Sequence, residues 1–423
     1  MTTQIELLDA LPGCGKTYAI TKYMSENRDR PWLYLSPLAS EVYPAYDDTS
    51  TGEHKTVVEK AGEYGLHFVH PSDGNEANKS EQVLDMLQEG LDVACTHNLM
   101  LRFTKQHIEA IALHKYNVVC DETLDLLSGY NMSTDDYNFL KKQELISINP
   151  ENGRVSFTDV KMGSHARYSD VKLLCDLGCL FAAPRSDRML VTQLSTDLLK
   201  EANRFILITY NYENSLMDNF LSLHGFTCKR IDYIATRITN KEAKDRIIGL
   251  LNILELPSVL TAQRGSSGKL SKTWWSNASA ESKDQVISAI GSCARKVKAL
   301  KKEDIIFTLP KDVIEPQKKT SYKITNKFIS KDSWLACNCR ATNEYSKAIL
   351  AVQAYNLYPN VAVVAYLQDM GCKIDQEKYA LNMLIQWLWR GCIRNGEPMN
   401  VALLSKRMSL IFKDWLCKVD VSF

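Results

Sequence analysis

Nowhere in its 423 residues does the chain string together the roughly 18 apolar residues that a membrane-spanning helix needs. Its first residues also lack the basic-then-apolar order of a secretory leader. The expectation is a soluble protein of the cytoplasm with no membrane partner. A dominant charge is missing too: 51 Lys and Arg stand against 50 Asp and Glu, a net +1. That excludes a bulk polycation, so any nucleic-acid surface has to be a local patch. Twelve cysteines are present, but no C-x2-C pair has a second pair or a His pair to complete a zinc site. Scattered through apolar runs, they read as reduced, buried thiols. No internal repeat stands out. The hydrophobic content of 45% is ordinary for globular chains, and the length allows two or three domains at ~150 residues each.

The most informative segment comes almost at once. Ile5–Ala10 is an apolar run of strand length, followed by Leu11-Pro12-Gly13-Cys14-Gly15-Lys16-Thr17 and the start of a helix at Tyr18. This fits a phosphate-binding loop with Ala10 in place of the first glycine. Small residues (Ala10, Gly13, Cys14, Gly15) let successive backbone N–H groups curl around phosphate oxygens. Lys16 reaches the β- and γ-phosphates, Thr17 offers a hydroxyl to Mg²⁺, and the new helix points its positive end at the anion. The plain alternative is a chance Gly-Lys-Thr turn, which the strand before and helix after argue against. ATP and Mg²⁺ are the expected ligands.

Strand candidates Ile5–Ala10, Trp32–Ser36, His67–His70, Val93–Thr96 and Asn117–Asp121 alternate with helical stretches Thr17–Glu26, Ser80–Gln88 and Lys105–Leu113. That alternation predicts a parallel sheet covered by helices. Residues 123–203 break the rhythm. Leu145–Ile148 and Val155–Phe157 flank Pro150-Glu151-Asn152-Gly153 as a β-hairpin, helical patches follow at Val171–Leu177 and Ser195–Ala202, and Phe205–Thr209 restores a buried strand. The expectation is an α+β insertion in a first unit of residues 1–233. In residues 234–423 a helix is expected over Lys241–Leu254, a loop over Gln263–Lys272, strands at Trp334–Cys337, Val361–Tyr366 and Asn400–Leu404, and helices at Glu344–Tyr355 and Gln376–Trp389. This second α/β unit has no phosphate loop. Residues 295–331 within it carry eleven lysines and arginines against four acids. Such a run is ordinarily a solvated face, although Tyr322 and Phe328 would suit base stacking.

Asn117–Asp121 continues into Glu122, so an apolar strand ends in two adjacent carboxylates. At the C-terminal edge of a parallel sheet they would stand beside the phosphate loop. Asp121 would hold Mg²⁺ through water, and Glu122 would orient and deprotonate the attacking water. Most Asp-Glu pairs merely cap elements; the phosphate loop ~100 residues upstream gives this one its weight.

From here the pattern resembles a superfamily 2 helicase ATPase of the DEAD/DEAH type, whose fold is two RecA-like parallel-sheet lobes in tandem. Tyr34-Leu35-Ser36-Pro37 and Val93-Ala94-Cys95-Thr96 are similar to the family's segments that touch the nucleic-acid backbone. Ile206–Tyr210 lies where the family couples hydrolysis to movement, keeping Thr209. Arg340-Ala341-Thr342-Asn343 resembles the corresponding segment of the second lobe. Gln386 through Arg394 resembles the closing Gln/Arg motif, which places arginine fingers across the cleft. Here the arginines, Arg390 and Arg394, lie four apart rather than three, and Trp389 stands where a glycine is usual, so which arginine meets the γ-phosphate stays open. The adenine-reading glutamine segment of many relatives is not expected ahead of the first strand. The later segments look most like helicase-type proteins of tailed bacteriophages. The resemblance implies ATP hydrolysis between two lobes, coupled to tracking or unwinding of nucleic acid, DNA before RNA, in the host cytoplasm.

Other readings exist for these residues. Ser36 and Thr96 would serve as strand-end caps, Gln386–Arg394 as an amphipathic helix, and Trp274-Trp275 as core. A phage packaging motor would need converging carboxylates, for which Asp369, Asp375 and Glu377 are the cluster on offer. A small-molecule kinase or nucleotide-regulated switch would need no polymer at all.

Overall fold

A strand that is apolar at every position needs cover on both faces, and this requirement shapes both halves of the molecule. The computed structural model describes residues 4–42, 55–72, 78–158, 167–255, 269–299, 301–315, 331–338 and 344–418. In the first half, β1 (Gln4–Asp9), β2 (Trp32–Ser36), β3 (Val93–Thr96) and β4 (Asn117–Asp121) join β10 (Arg204–Thr209) and β11 (Thr227–Arg230) in one six-stranded parallel sheet. Its order is β11-β1-β10-β4-β2-β3. Alternate residues supply two cores: Trp32, Tyr34 and Val119 pack with Ile20 and Met24 of helix Lys16–Glu26. Leu33, Leu35, Val118 and Cys120 face helices Lys79–Gln88, Lys105–His114 and Leu216–Leu223. His67–His70 is not a strand; only Val69 bridges, to Val93.

Between β4 and β10 lies the α+β insertion. β5 (Leu127–Tyr130), β8 (Leu180–Ala183) and β9 (Ser186–Gln193) form an antiparallel sheet, and β6 (Ile146–Ile148) pairs with β7 (Val155–Phe157) as the expected hairpin. Helices Thr134–Lys142, Ser169–Asp176 and Asp197–Glu201 complete it.

The second half is a four-stranded parallel sheet ordered β12-β15-β14-β13, built from β12 (Leu251–Ile253), β13 (Ile305–Thr308), β14 (Leu350–Gln353) and β15 (Met399–Leu403). Helices Asn240–Leu250, Gln376–Leu388 and Lys406–Cys417 cover one face, and helix Ala280–Lys296 covers the other. The chain is therefore α/β, two parallel-sheet lobes in tandem with an α+β insertion in the first. Among the described residues no helix is long and apolar enough to cross a membrane.

Four expectations for the second lobe are corrected. The helix from Lys241 stops at Leu250, and the chain runs straight into β12. Glu344–Tyr355 contains β14, whose four residues are all buried; a short run buried throughout carries no period that separates strand from buried helix. Val361–Tyr366 is helical, within Val361–Asp369. Asn360 caps it by accepting from the backbone of Ala362 and Val363, and packing of Val363, Tyr366 and Leu367 into the first lobe's core overrides the β-branched preference. Trp334–Cys337 is no strand: Trp334 makes an isolated bridge to Phe307, and its indole N–H donates to Leu309 O at 2.9 Å. Most of the expected loop 263–272 and the core of the lysine-rich run, with Tyr322 and Phe328, lie outside the described residues.

Candidate functional site

The loop after β1 turns at Gly13 (φ 87°) and Gly15 (φ 85°), backbone values that a side chain rarely adopts. Gly13 is further constrained, because a Cβ there would come within 2.4 Å of the Trp389 ring. Lys16 opens the following helix and folds its ammonium back onto the carbonyls of Ala10 and Leu11. Burial lowers its pKa, against the pull of Asp121, Cys14, Glu122 and Asp9. Ala10 and Cys14 do not line the cleft. Ala10 N–H donates to Thr209 O at 3.0 Å, and the Cys14 thiol turns toward the second lobe, 3.6 Å from Asn240 Oδ1. Asn240 also accepts from Leu11 N–H at 2.7 Å. Ala10, Leu11, Cys14 and Tyr210 consequently pack into the second lobe's core, so the loop is clamped by both halves.

Strand β10 separates β1 from β4, which sets Thr209 between the loop and the carboxylates. Asp121 is buried and accepts from Tyr34 Oη at 2.7 Å. Burial raises its pKa, and the Tyr34 hydrogen bond opposes that rise. Glu122 sits at φ 65°, its N–H donating to Ile208 O at 2.8 Å. This left-handed turn carries the Glu122 carboxylate to the cleft. From the second lobe, Arg390 Nη2 reaches Glu122 Oε1 at 3.3 Å. Arg390 is 6% exposed, so its charge is held in a largely water-excluded place.

These groups surround one cleft of about 330 Å³ lined by Gly13, Gly15, Lys16, Thr17, Asp121, Glu122, Thr209, Gln386, Arg390 and Arg394. Gln386 Nε2 donates to Asn382 Oδ1 at 2.9 Å, and Asn382 Nδ2 donates to Tyr210 O at 3.0 Å, a chain of bonds linking the lobes. Also lining the cleft, and missed by pattern reading, are Tyr18, Glu41, Lys60, Arg237, Arg246 and Trp389. Glu41 has its carboxyl pushed up to about 7 by burial and by Asp121, with Arg390 opposing. Tyr18, next to Thr17, and Trp389, next to Arg390, had a local signal; the others arrive from distant segments.

Ser36 and Thr96 stand outside the cleft, paired at the C-terminal ends of β2 and β3. Thr96 caps helix His97–Met100, accepting from Leu99 N–H at 3.3 Å, which is the plain alternative for it. Ser36 Oγ is buried, with no hydrogen-bond partner among the described residues. Arg340, Thr342 and Asn343 lie outside the described residues. Two of the carboxylates considered for a packaging motor serve structure: Asp369 accepts from Arg185 N–H at 2.7 Å, and Asp375 caps helix Gln376–Leu388.

The second lobe matches a family model. It is that of the YonV C-terminal Rossmann-like domain, over residues 245–416. The whole chain is 24% identical, over 429 aligned positions, to the SPbeta prophage-derived uncharacterized protein YonV of Bacillus subtilis (strain 168), covering 98% of both. A solved structure described as XPD helicase aligns over 99% of this chain and 95% of its own, at 15% identity and a TM-score of 0.38, too loose a superposition to carry an argument.

Proposed function

We propose that the chain is a nucleic-acid-dependent ATPase that moves along or unwinds a polynucleotide, DNA before RNA, by closing two lobes on ATP and releasing them on hydrolysis. The reading takes the lobes as residues 1–233 and 234–423, with the lysine-rich 295–331 in the second. One observation carries it: Arg390 of the second lobe meets Glu122 of the first inside a cleft that also holds Lys16 and Asp121.

In this reading Lys16 leaves the loop carbonyls for the β/γ-phosphates, and the N–H groups of the Gly13–Thr17 turn hold their oxygens. Glu122 takes a proton from the attacking water. Arg390 then leaves Glu122 for the charge developing on the transferred phosphoryl group, with Arg394 beside it. Gln386 relays lobe closure through Asn382 to Tyr210, next to Thr209. Thr17 and Asp121 offer the hydroxyl and carboxylate oxygens that suit Mg²⁺, which when bound neutralises charge on the phosphate oxygens. Ser36, Thr96, Arg340, Thr342 and Asn343 remain the candidate contacts to the polymer track. The relative's printed tie to a prophage agrees with a phage-type motor working in a host cytoplasm.

The test is ATP hydrolysis by the full chain and by Lys16→Ala, alone and with single-stranded DNA, duplex DNA or RNA. Lys16-dependent turnover that rises with a polymer, DNA most, supports the reading. Lys16-dependent turnover indifferent to every polymer removes the motor and leaves the switch or kinase reading.

A further inference from the structure

Helix Val361–Asp369 belongs to the second lobe by sequence, between β14 and helix Gln376–Leu388, yet it packs elsewhere. Core membership changes along this stretch. Leu357 is buried in the second lobe's core, Val363, Tyr366 and Leu367 are buried in the first lobe's, and Ala380 returns to the second. Met370, Cys372 and Ile374, beyond the helix, still pack against the first lobe. Polar contacts fasten the same residues. Asp369 accepts from Arg185 N–H, Tyr366 Oη donates to Asn152 O at 3.3 Å, and Asn219 Nδ2 donates to Lys373 O at 3.2 Å. Arg185 and Asn152 stand in the insertion and Asn219 in helix Leu216–Leu223, so two parts of the first lobe are gripped. Both ends of the stretch meet at one side chain. Arg407, on helix Lys406–Cys417, donates from Nη1 to Asn356 Oδ1 at 3.2 Å and Leu357 O at 2.7 Å. From Nη2 it donates to Gln376 O at 3.1 Å, and its guanidinium lies 4.2 Å from the centroid of the Tyr358 ring. The chain thus leaves the second lobe and re-enters it at the same planar fork.

We propose that residues 358–375 are an arm of the second lobe fixed permanently on the first, so that the lobes stay joined with or without ligand and turn about the Arg407 fork instead of parting. Undocking the arm would return its buried side chains to water and strand a nine-residue helix, too short to hold its shape alone. The Arg390–Glu122 and Asn382–Tyr210 bonds in the cleft are of another kind: polar pairs exchange for water or ligand at small net cost. What moves in such a molecule is the second lobe's sheet relative to its own arm. The fork is the one place where both connecting segments are held to that lobe by a single planar group, which a lysine ammonium cannot reproduce. Docking of the arm stands apart from the nucleotide reading; turning about the fork during a cycle rests on it.

The experiment is amide hydrogen exchange on the full chain, first without ligand and then with MgATP and single-stranded DNA. A helix this short has no protection of its own when free, so slow exchange across Val361–Asp369 reports docking. Without ligand its amides should exchange at least about 10³-fold slower than unstructured ones, and ligand should leave that rate unchanged. Faster exchange, or protection that rises with ligand, overturns the arm. Arg407→Ala and Arg407→Lys test the fork through ATP turnover. Both should keep the arm's protection and the turnover without polymer, and lose most of the polymer's stimulation. Stimulation kept by Arg407→Ala beside a lowered Tm would make Arg407 a structural staple and overturn the pivot. So would rescue by Arg407→Lys, or loss of the arm's protection in Arg407→Ala. If the unaltered chain shows a protected arm but no polymer-stimulated turnover, the motor reading fails and takes the pivot with it, while the arm stands.

Discussion

Lys16, Glu122 and Arg390 each hold a partner in the cleft that the proposed reaction requires them to give up. Lys16→Ala should therefore abolish ATP turnover while leaving the fold intact, checked by steady-state hydrolysis beside a thermal melt. Arg390 is the arginine in contact with Glu122, whereas Arg394 has its guanidinium pKa lowered by burial and by Arg390 itself. Arg390→Ala should accordingly lower kcat by about 10³-fold with a far smaller change in the KM for ATP, the scale of a lost finger. The same substitution at Arg394 should do less. The reverse ranking would make Arg394 the finger.

Glu41 gives a pH signature. Its folded pKa, about 7, stands above the ordinary 4.5, so between those values the folded chain holds a proton that the unfolded chain has released. Its contribution is then full at low pH and lost as pH rises toward 7. Glu41→Gln should match the unaltered chain in Tm near about pH 5 and exceed it by a growing margin toward about pH 8. A constant difference would place the Glu41 carboxyl in water.

At this scale legibility followed locality. The meeting of Lys16, Thr17, Asp121 and Glu122 in one cleft was readable because loops of this kind and strand-end acids are short contiguous patterns. Glu41, Arg237 and Asn240 were not, because nothing in their own neighbourhoods marks them. The direction of the Cys14 thiol, toward the second lobe, was illegible for the same reason: a loop position does not tell which wall its side chain faces.

The elements repeat that lesson. The first lobe's strands β2, β3 and β4 were legible to the residue because Gly, Pro and polar turns bound each apolar run. In the second lobe the apolar runs are less clearly bounded and both periods fit them, so β14 read as helix and Val361–Tyr366 as strand. What decides the latter is its N-terminus and its seat. Asn360 Oδ1 accepts from Ala362 N–H at 2.9 Å, and Tyr366 packs edge-on to Phe181 with centroids 5.9 Å apart. Asn360→Ala should cost about 1 kcal/mol in urea unfolding with the m-value unchanged, the usual loss of an N-cap. No loss would mean that packing alone holds the helix. Gly129 lies so close to Asn360 that a Cβ would come within 2.6 Å of its amide, which ties the cap to the insertion sheet as well.

Across the whole molecule, the two lobes touch at several points, and two of these contacts stand in the cleft itself. Trp389 rests on Gly13, Asn240 holds Leu11 N–H, Arg390 meets Glu122, and helix Val361–Asp369 lies on the insertion. A change at the phosphate loop must therefore be felt by the second lobe. The most specific path is the buried Asn382, which accepts from Gln386 and donates to Tyr210 O at the end of β10. Its loss should leave ATP turnover without polymer within a few-fold of normal but remove most of the polymer's stimulation. Asn382→Asp separates the two bonds. A carboxylate still accepts from Gln386 but has no donor for Tyr210 O, and two oxygens are left facing each other. If the bond to Tyr210 carries the coupling, Asn382→Asp should lose stimulation as fully as Asn382→Ala. If the bond to Gln386 carries it, Asn382→Asp should retain stimulation that Asn382→Ala loses. Two correctly folded variants, both stimulated like the unaltered chain, would mean that coupling runs through Arg390 or Trp389 instead.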